Sequence, residues 1–377
     1  MANNNNTKNL NVPNLRFPEF KGEWEDKKLG DLCSEFKSGK NIKSAEILED
    51  GKFPVFGGNG LRGFTHKYNY NGEYVIVGRQ GALCGNVRLV EGKCYMTEHA
   101  IVIQGSEDNN TKFLLYLLDK LNLGQYSDQS AQPGLAVNKL QKIKVTIPNL
   151  SEQNKIASFL FLLDQRIKTQ IKIIEDLKVL QNTLIDYYYH HQRYDKNVSL
   201  FDCISQTSER NKKNNAFPVL SVSNKYGFIQ QIEQFENRKV ASEDISNYKI
   251  VRKNDFAYNP ARINVGSIAK LIKYSNGIVS PMYICFRAKD NFLPDFLEFY
   301  FKSKQFKNEV LKRLEGSVRQ CLPFEGLCDI PVVFPPKEKQ KDIITQLSAI
   351  QTKIEIETTI KELQLKQKQH LLHQMLI

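Results

Sequence analysis

Two stretches of about forty residues carry the same helical seam, and their fixed spacing constrains this chain more than anything else in it. Pro148 and Pro335, Gln153 and Gln340, Ile156 and Ile343, Leu160 and Leu347, Leu163 and Ile350, and Ile167 and Ile354 all stand 187 positions apart. In the first stretch Ile156, Leu160, Leu163, Ile167, Ile174, Leu177 and Leu184 step by threes and fours, with Gln170 and Gln181 at the remaining seam positions. That is the pattern of a coiled-coil helix. Pro148 stops the preceding strand, and Asn149 with Glu152, or Ser151, can cap the helix start. The second stretch repeats the seam at Ile343, Leu347, Ile350 and Ile354, then places Glu357, Lys361, Gln364 and Lys368 where apolar residues belong. Ile356, Ile360 and Leu363 offer a displaced stripe, so this half is expected to bend or to face another partner.

A helix of about forty residues rises roughly 60 Å and must bury its apolar stripe, for which the other copy is the natural partner. The alternative is that each helix packs on its own domain. The first helix leaves one globular part and arrives at the next, so a pseudo-two-fold repeat makes the pair antiparallel. The reading is therefore a polar lead-in over 1–20, a recognition domain over 21–148, a spacer helix over 149–193, a second domain over 194–335 and a second spacer helix over 336–377. The fold class is mixed α+β, duplicated, with two long antiparallel coiled-coil helices.

The duplication continues inside the globular parts. Phe53-Pro54-Val55 matches Phe217-Pro218-Val219, and Gly63-Phe64 matches Gly227-Phe228, both 164 positions apart. Offsets are steady within blocks and change between them, as when framework is kept and loops vary. Tyr74 to Val77, Ala100 to Ile103 and Ile143 to Ile147 read as strands, matched by Phe256 to Tyr258, Tyr283 to Phe286 and Ile330 to Phe334. Residues 113–121 and 294–314 have helical spacing.

The formal net charge of +12 sits mainly in the globular parts: residues 1–148 hold 19 basic and 16 acidic side chains, and 194–335 hold 21 and 15. A polyanion would have to be gripped there, although mild basicity also serves solubility. Seven cysteines form no C-x-x-C pair, and six histidines supply no ligand spacing, so neither a zinc site nor a disulfide framework is expected. A reducing cytoplasm fits, and no apolar run is long enough to span a membrane. No phosphate loop is present, and the glycines of 57–60 and 78–81 read as tight turns. Asn259-Pro260 starts an amino-methyltransferase-like motif that Ala261-Arg262 break. Asp295 and Glu298 lack the placed lysine of a nuclease cluster and read as solvated helix charges. The sequence describes a recogniser with no catalytic residue and no metal site.

Leu15 to Phe20, Gly22-Glu23-Trp24, Lys28 to Asp31, Phe53 to Gly60 and the Ile147-Pro148 to Gln153 helix entry, in this order and with weaker second copies, resemble the specificity (S) subunit of type I restriction–modification enzymes. The resemblance implies two target-recognition domains, each reading half of a bipartite asymmetric sequence in double-stranded DNA. It implies two modification subunits that bind S-adenosylmethionine and methylate adenine, and two restriction subunits that use ATP and Mg to translocate and cut. No cofactor is then expected in this chain itself. A coiled-coil adaptor between proteins, with incidental basic charge, is the rival reading.

Arginine pairs bidentately with guanine and asparagine or glutamine with adenine, so loop residues of these types are the candidate readers. In the first domain they are Arg62, Arg79, Gln80, Asn86 and Gln132; in the second, Asn224, Lys225, Arg262, Asn264 and Arg319. Each could equally be a solvated loop residue or a phosphate clamp. Two unlike readers on one face of a duplex predict unlike half-sites about one helical turn apart, roughly 34–36 Å.

Overall fold

The computed structural model describes residues 11–81, 83–127, 134–190, 197–213, 215–231, 244–316, 320–333 and 335–377. It divides into two compact units, 1–171 with 359–377, and 172–358. Among the described residues no helix is long and apolar enough to cross a membrane.

The first unit contains strands β1 (Glu25–Lys28), β2 (Cys33–Ser38), β3 (Phe53–Gly57), β4 (Gly60–Thr65), β5 (Tyr70–Gly78), β6 (Val87–Met96), β7 (Ala100–Gly105) and β8 (Lys144–Ile147), with helices α1 (Thr111–Lys120) and α2 (Val137–Gln141). Helix α3 (Leu150–His190) begins here. Six strands form one sheet in the order β2-β7-β5-β6-β3-β4, with β1 paired to β8. The pairing is antiparallel except for β3 beside β6, where Val55 faces Tyr95.

The second unit adds β9 (Asn197–Ser199), α4 (Leu200–Cys203), β10 (Ile204–Thr207), β11 (Val219–Ser223), β12 (Gly227–Gln230), β13 (Lys249–Arg252) and β14 (Phe256–Tyr258). It continues with β15 (Ile268–Lys270), β16 (Asn276–Val279), β17 (Ile284–Ala288), α5 (Pro294–Tyr300), α6 (Lys304–Lys312), α7 (Phe324–Cys328), β18 (Pro331–Val333) and the start of α8 (Lys337–Met375). The strand order of the first unit recurs, but its two long central strands are each broken. β13 and β14 replace β5, β15 and β16 replace β6, and the sheet becomes two, β10-β17-β14-β15 and β12-β11-β16-β13. The parallel contact is retained between β11 and β16, and β18 pairs β9 as β8 pairs β1. At the first break Asn254 is left-handed, with φ of 71°. Buried Asp255 holds the kink by accepting from the Arg252 N–H and from Arg287 at 3.1 Å.

The shared Pro-to-Gln spacing has one structural meaning in both units. Asn149 caps α3 by accepting from the Glu152 N–H at 3.0 Å. Gln153, buried, donates to the Pro148 carbonyl at 2.9 Å and accepts from the Asn110 N–H at 3.0 Å. Gln340, equally buried, donates to the Pro335 carbonyl and accepts from the Leu293 N–H, both at 3.0 Å. Asn110 and Leu293 are the N-cap residues of α1 and α5. One amide thus joins the entry of each long helix to the start of the helix that covers the sheet. Replacing Gln340 with Leu leaves a buried N–H and C=O unmatched, at about 1–3 kcal/mol each. The expected outcome is destabilisation of the second unit by about 2–4 kcal/mol in urea unfolding; a change below 1 kcal/mol would show the bridge to be dispensable.

Within each unit the long helices run in opposite directions. In the second, Gln181 bonds Gln351 at 3.1 Å and Tyr188 bonds Gln346 at 2.6 Å, so numbers rise on one helix as they fall on the other. In the first, Asp164 pairs with Lys368 at 2.7 Å while Leu160 and Leu372 share one core. Ile156, Leu160, Ile167, Ile174, Ile343, Leu347 and Ile354 are buried; Leu163, Leu177, Leu184 and Ile350 are half-buried.

The second helix departs from expectation. The apolar stripe does not take over: Ile356 is 49% and Leu363 60% exposed, while Glu357 is buried and Lys361, Gln364 and Lys368 are half-buried in the original phase. Two of these polar groups are accommodated by charged or aromatic partners. Glu357 is met by Lys353 at 2.5 Å, and Lys368 by Asp164 and the face of Tyr116. Residues 294–314 form two helices rather than one, with Ser303 capping the second through the Phe306 N–H at 3.1 Å.

The second half of the expected lead-in is held to the first unit. Arg16 grips buried Glu152 bidentately, at 2.8 and 2.7 Å, and Phe17 meets Phe159 edge-on at 5.9 Å. The Leu15 N–H donates to the Gln374 carbonyl at 2.9 Å. The residues before Asn11 lie outside the described residues, as does Phe334.

Candidate nucleic-acid interface

In each unit two turns meet at one end of the sheet, and these turns hold most of the sequence candidates. In the first unit β3 and β4 are joined by the two-residue turn Gly58-Asn59, against which the 79–86 loop between β5 and β6 packs. Bare backbone makes that approach feasible. A Cβ on Gly78 would stand 2.6 Å from the Gly58 carbonyl oxygen, and one on Gly58 would stand 2.8 Å from that of His99. These glycines therefore serve close contact as well as turning.

Arg62 lies along Gly57, and the Arg88 guanidinium lies against Gly60, so two arginines flank the hairpin turn. Arg79 stands at the root of the neighbouring loop, its N–H donating to His99 at 3.0 Å. None of the three has a carboxylate partner among the described residues. Gln80 is held by the His99 imidazole, Nδ1 to Oε1 at 3.1 Å. Asn86 is exposed and closes the loop through its backbone, accepting from the Gly78 N–H at 2.9 Å. Gln132 lies outside the described residues. Arg88 was not among the sequence candidates; its signal was an arginine two residues after Asn86, near the start of a strand.

In the second unit the corresponding turns are 224–226, between β11 and β12, and 259–267, between β14 and β15. Ser223 shapes the first by accepting the Lys225 and Tyr226 N–H groups at 3.2 and 3.3 Å. Asn259 shapes the second by accepting from the Ala261 N–H at 3.0 Å, so Asn259-Pro260 is a self-capped turn. Ser267 stitches the two together through a buried hydrogen bond to the Val222 carbonyl at 3.0 Å. Asn224, Lys225 and Asn264 line one cleft of about 900 Å³ with Tyr226, Val265 and Lys273. Arg262 is exposed on the same turn outside that lining, and Arg319 lies outside the described residues.

The cleft floor corrects one expectation. Asp295 and Glu298 do have a placed lysine: Lys270 from β15 is 3% exposed and bonds Asp295, and also Glu298 at 2.9 Å. Burial lowers the Lys270 pKa, but Glu298 and Asp295 outweigh it and the net direction is upward. Burial raises Glu298, and Lys302 with Lys270 reverses that, leaving it lowered. Lys270 and Glu298 therefore stay charged. The first unit has the same helix-to-sheet tie with its polarity exchanged, Lys112 of α1 meeting Glu73 at 2.6 Å and Glu91 at 3.2 Å. No group of side chains among the described residues is set to hold a metal ion. All seven cysteines are free, and burial pushes those of Cys33 and Cys285 up to about 12 and that of Cys94 up to about 11. Such thiols are not activated nucleophiles.

Comparison with known proteins agrees with this organisation. The family described as Type I restriction modification DNA specificity domain matches residues 21–178 and again 202–366. The EcoprrI specificity subunit of Escherichia coli is 41% identical over 150 residues, 39% of this chain and 37% of that protein. The putative specificity subunit S.HindORF215P of Haemophilus influenzae is 26% identical over 141 residues, 37% of this chain and 36% of that protein. The match thus spans less than half the length of these relatives. The crystal structure of the type I restriction–modification S subunit from M. genitalium superposes over 97% of this chain and 99% of its own, with a TM-score of 0.66 and 15% identity, which establishes a common fold. With the family matched twice over most of its length, the chain belongs to the type I restriction–modification DNA specificity family.

Proposed function

We propose that this chain is the DNA-reading subunit of a type I restriction–modification assembly and performs no chemistry itself. The observation that carries this is the recurrence, in both units, of two packed turns that present arginine, lysine and amide side chains to solvent. A phosphate backbone supplies affinity to such lysines and arginines, and base edges supply selectivity to the amides and guanidiniums. The turns differ between units, so each reads its own half-site and the target is asymmetric. The long helices set the spacer and dock two modification subunits, which hold S-adenosylmethionine; two restriction subunits, with ATP and Mg, complete the assembly.

The test is adenine-methylation mapping in the source genome with and without this gene, followed by binding of the purified chain with its modification partner to the mapped site at two salt concentrations. Expected are a bipartite motif that disappears with the gene and an affinity that falls steeply with salt. A protein-only adaptor would show neither, and a self-sufficient enzyme would methylate or cut DNA without a partner. Adding about one helical turn of residues within 167–177 is expected to lengthen the preferred spacer and leave both half-sites unchanged. Changed half-sites with the old spacer would contradict that role for the helices.

A further inference from the structure

We propose that the paired turns of the second unit read an A·T base pair in the major groove, with Asn264 or Asn224 on the adenine edge and Val265 against the thymine methyl. The inference rests on the DNA-reading function above and names the chemistry of one half-site.

Three observations converge on it. The first is that Asn224 and Asn264 are exposed, and neither side chain has a hydrogen-bond partner among the described residues. The other asparagine of these turns is occupied: Asn259 caps its own turn by accepting from the Ala261 N–H. A free carboxamide offers one donor and one acceptor side by side, which matches the adenine N7 and N6 edge and no other base as well.

The second is the apolar neighbour. Val265 is 51% exposed, directly after Asn264, and Tyr226 is 66% exposed on the facing turn. Gly266, left-handed at φ of 88°, folds the Asn264–Val265 turn back so that its own Cβ position lies 3.8 Å from the Asn224 Cβ. The two amides and the branched side chain are thereby gathered on one tip. In the major groove the adenine edge and the thymine methyl belong to the same base pair, so an amide beside a small apolar group is the complement of A·T. The first unit presents Arg62, Arg79 and Arg88 at the equivalent place, the chemistry that suits guanine.

The third is the charge around the tip. Lys270 and Lys302 in the cleft are neutralised by Asp295 and Glu298, whereas Lys225, Lys273 and Lys307 have no carboxylate partner among the described residues. Three ammonium groups with no carboxylate to neutralise them, beside two free amides, suit a phosphate backbone with a groove between its strands.

The test uses the full chain with its modification partner and duplexes carrying the mapped target. Within the second unit's half-site, each thymine is replaced in turn by deoxyuridine and each adenine by 7-deazaadenine, leaving aside the adenine that is methylated. The wild type is expected to lose about fourfold in affinity at one deoxyuridine position, the worth of one buried methyl. It should lose about tenfold at the paired 7-deazaadenine. Val265→Ala should become indifferent to deoxyuridine at that pair, and either Asn264→Ala or Asn224→Ala should accept other bases there. Both variants should keep the wild-type reading of the other half-site and the wild-type salt slope, which shows that they are folded and still bind DNA. Variants that bind every substituted duplex as the wild type does would overturn the A·T assignment while leaving the reading function intact. A wild type with no sequence preference would overturn the function itself.

Discussion

Ending the chain at Thr358 is expected to unfold the first unit and spare the second, although every residue removed is remote in sequence from the first domain. The last nineteen residues belong to that unit. Leu372, Met375 and Leu376 are buried in one core with Trp24, Phe113, Leu117, Ile156 and Leu160. Lys120 donates to the Leu376 carbonyl at 2.6 Å, and Leu15 to that of Gln374 at 2.9 Å. Three such side chains contribute roughly 5–9 kcal/mol by burial, against a total stability of about 5–15 kcal/mol for a domain. Hydrogen exchange with mass spectrometry is the suitable measurement. Loss of protection over 25–147 with protection kept over 249–332 is the expected result. Equal protection of both units in the shortened chain would mean that the C-terminal turns only decorate a self-sufficient core.

The second large effect is expected from Lys270→Ala. The ammonium is almost wholly inaccessible and is the counter-charge of both Asp295 and Glu298. Removing one partner of a buried ion pair costs about 3–5 kcal/mol, because the partners left behind are incompletely solvated and here repel one another. Asp295 is the more exposed of the two and recovers water, so the lower end of that range is expected. A thermal scan should show the second unit melting several degrees earlier. Adding Asp295→Asn and Glu298→Gln to Lys270→Met should restore much of the loss, since an uncharged trio carries no unmatched charge. No recovery in the triple variant would place the stability in the lysine's packing instead.

The same trio fixes a pH dependence. Glu298 is held below its ordinary value, so its contribution is full above the usual carboxylate range, near pH 4.3, and declines as pH falls through and below it. Lys270 is held above its ordinary value, so its contribution is present below about pH 10.4 and is lost only at stronger alkalinity. The second unit should have a flat stability plateau through neutrality and should weaken first on the acid side.

Much of this architecture was legible in the chain, and what was not has more than one cause. The 187-residue offset carried the helices, their entry, and the buried glutamines, because a repeated backbone arrangement leaves repeated residues. The strand matches from Phe53 and Phe217 onward placed the equivalent turns, so the candidates at 79–86 and 224–264 fall in corresponding loops while Arg62 sits in β4 beside its turn. Periodicity failed where a polar residue is satisfied by something far along the chain. Lys368 looked like an interruption of the seam because Asp164 and Tyr116 are about two hundred residues or more upstream. Asp295 and Glu298 looked solvated because Lys270 reaches them from a strand. The division of 294–314 had a local signal, Ser303 three residues before Phe306, that apolar spacing concealed. The break of the second sheet had only Asn254 and Asp255 to announce it, and neither is diagnostic without the fold around it.

The joints made by Gln153 and Gln340 reach beyond stability. Each grips main-chain atoms of the globular part, an amide N–H on one side and a proline carbonyl on the other. A plug held by its backbone leaves the side chains of its outer loops unconstrained. Such sockets let the outer loops of either unit change in sequence while the helix entry that carries them stays as it is.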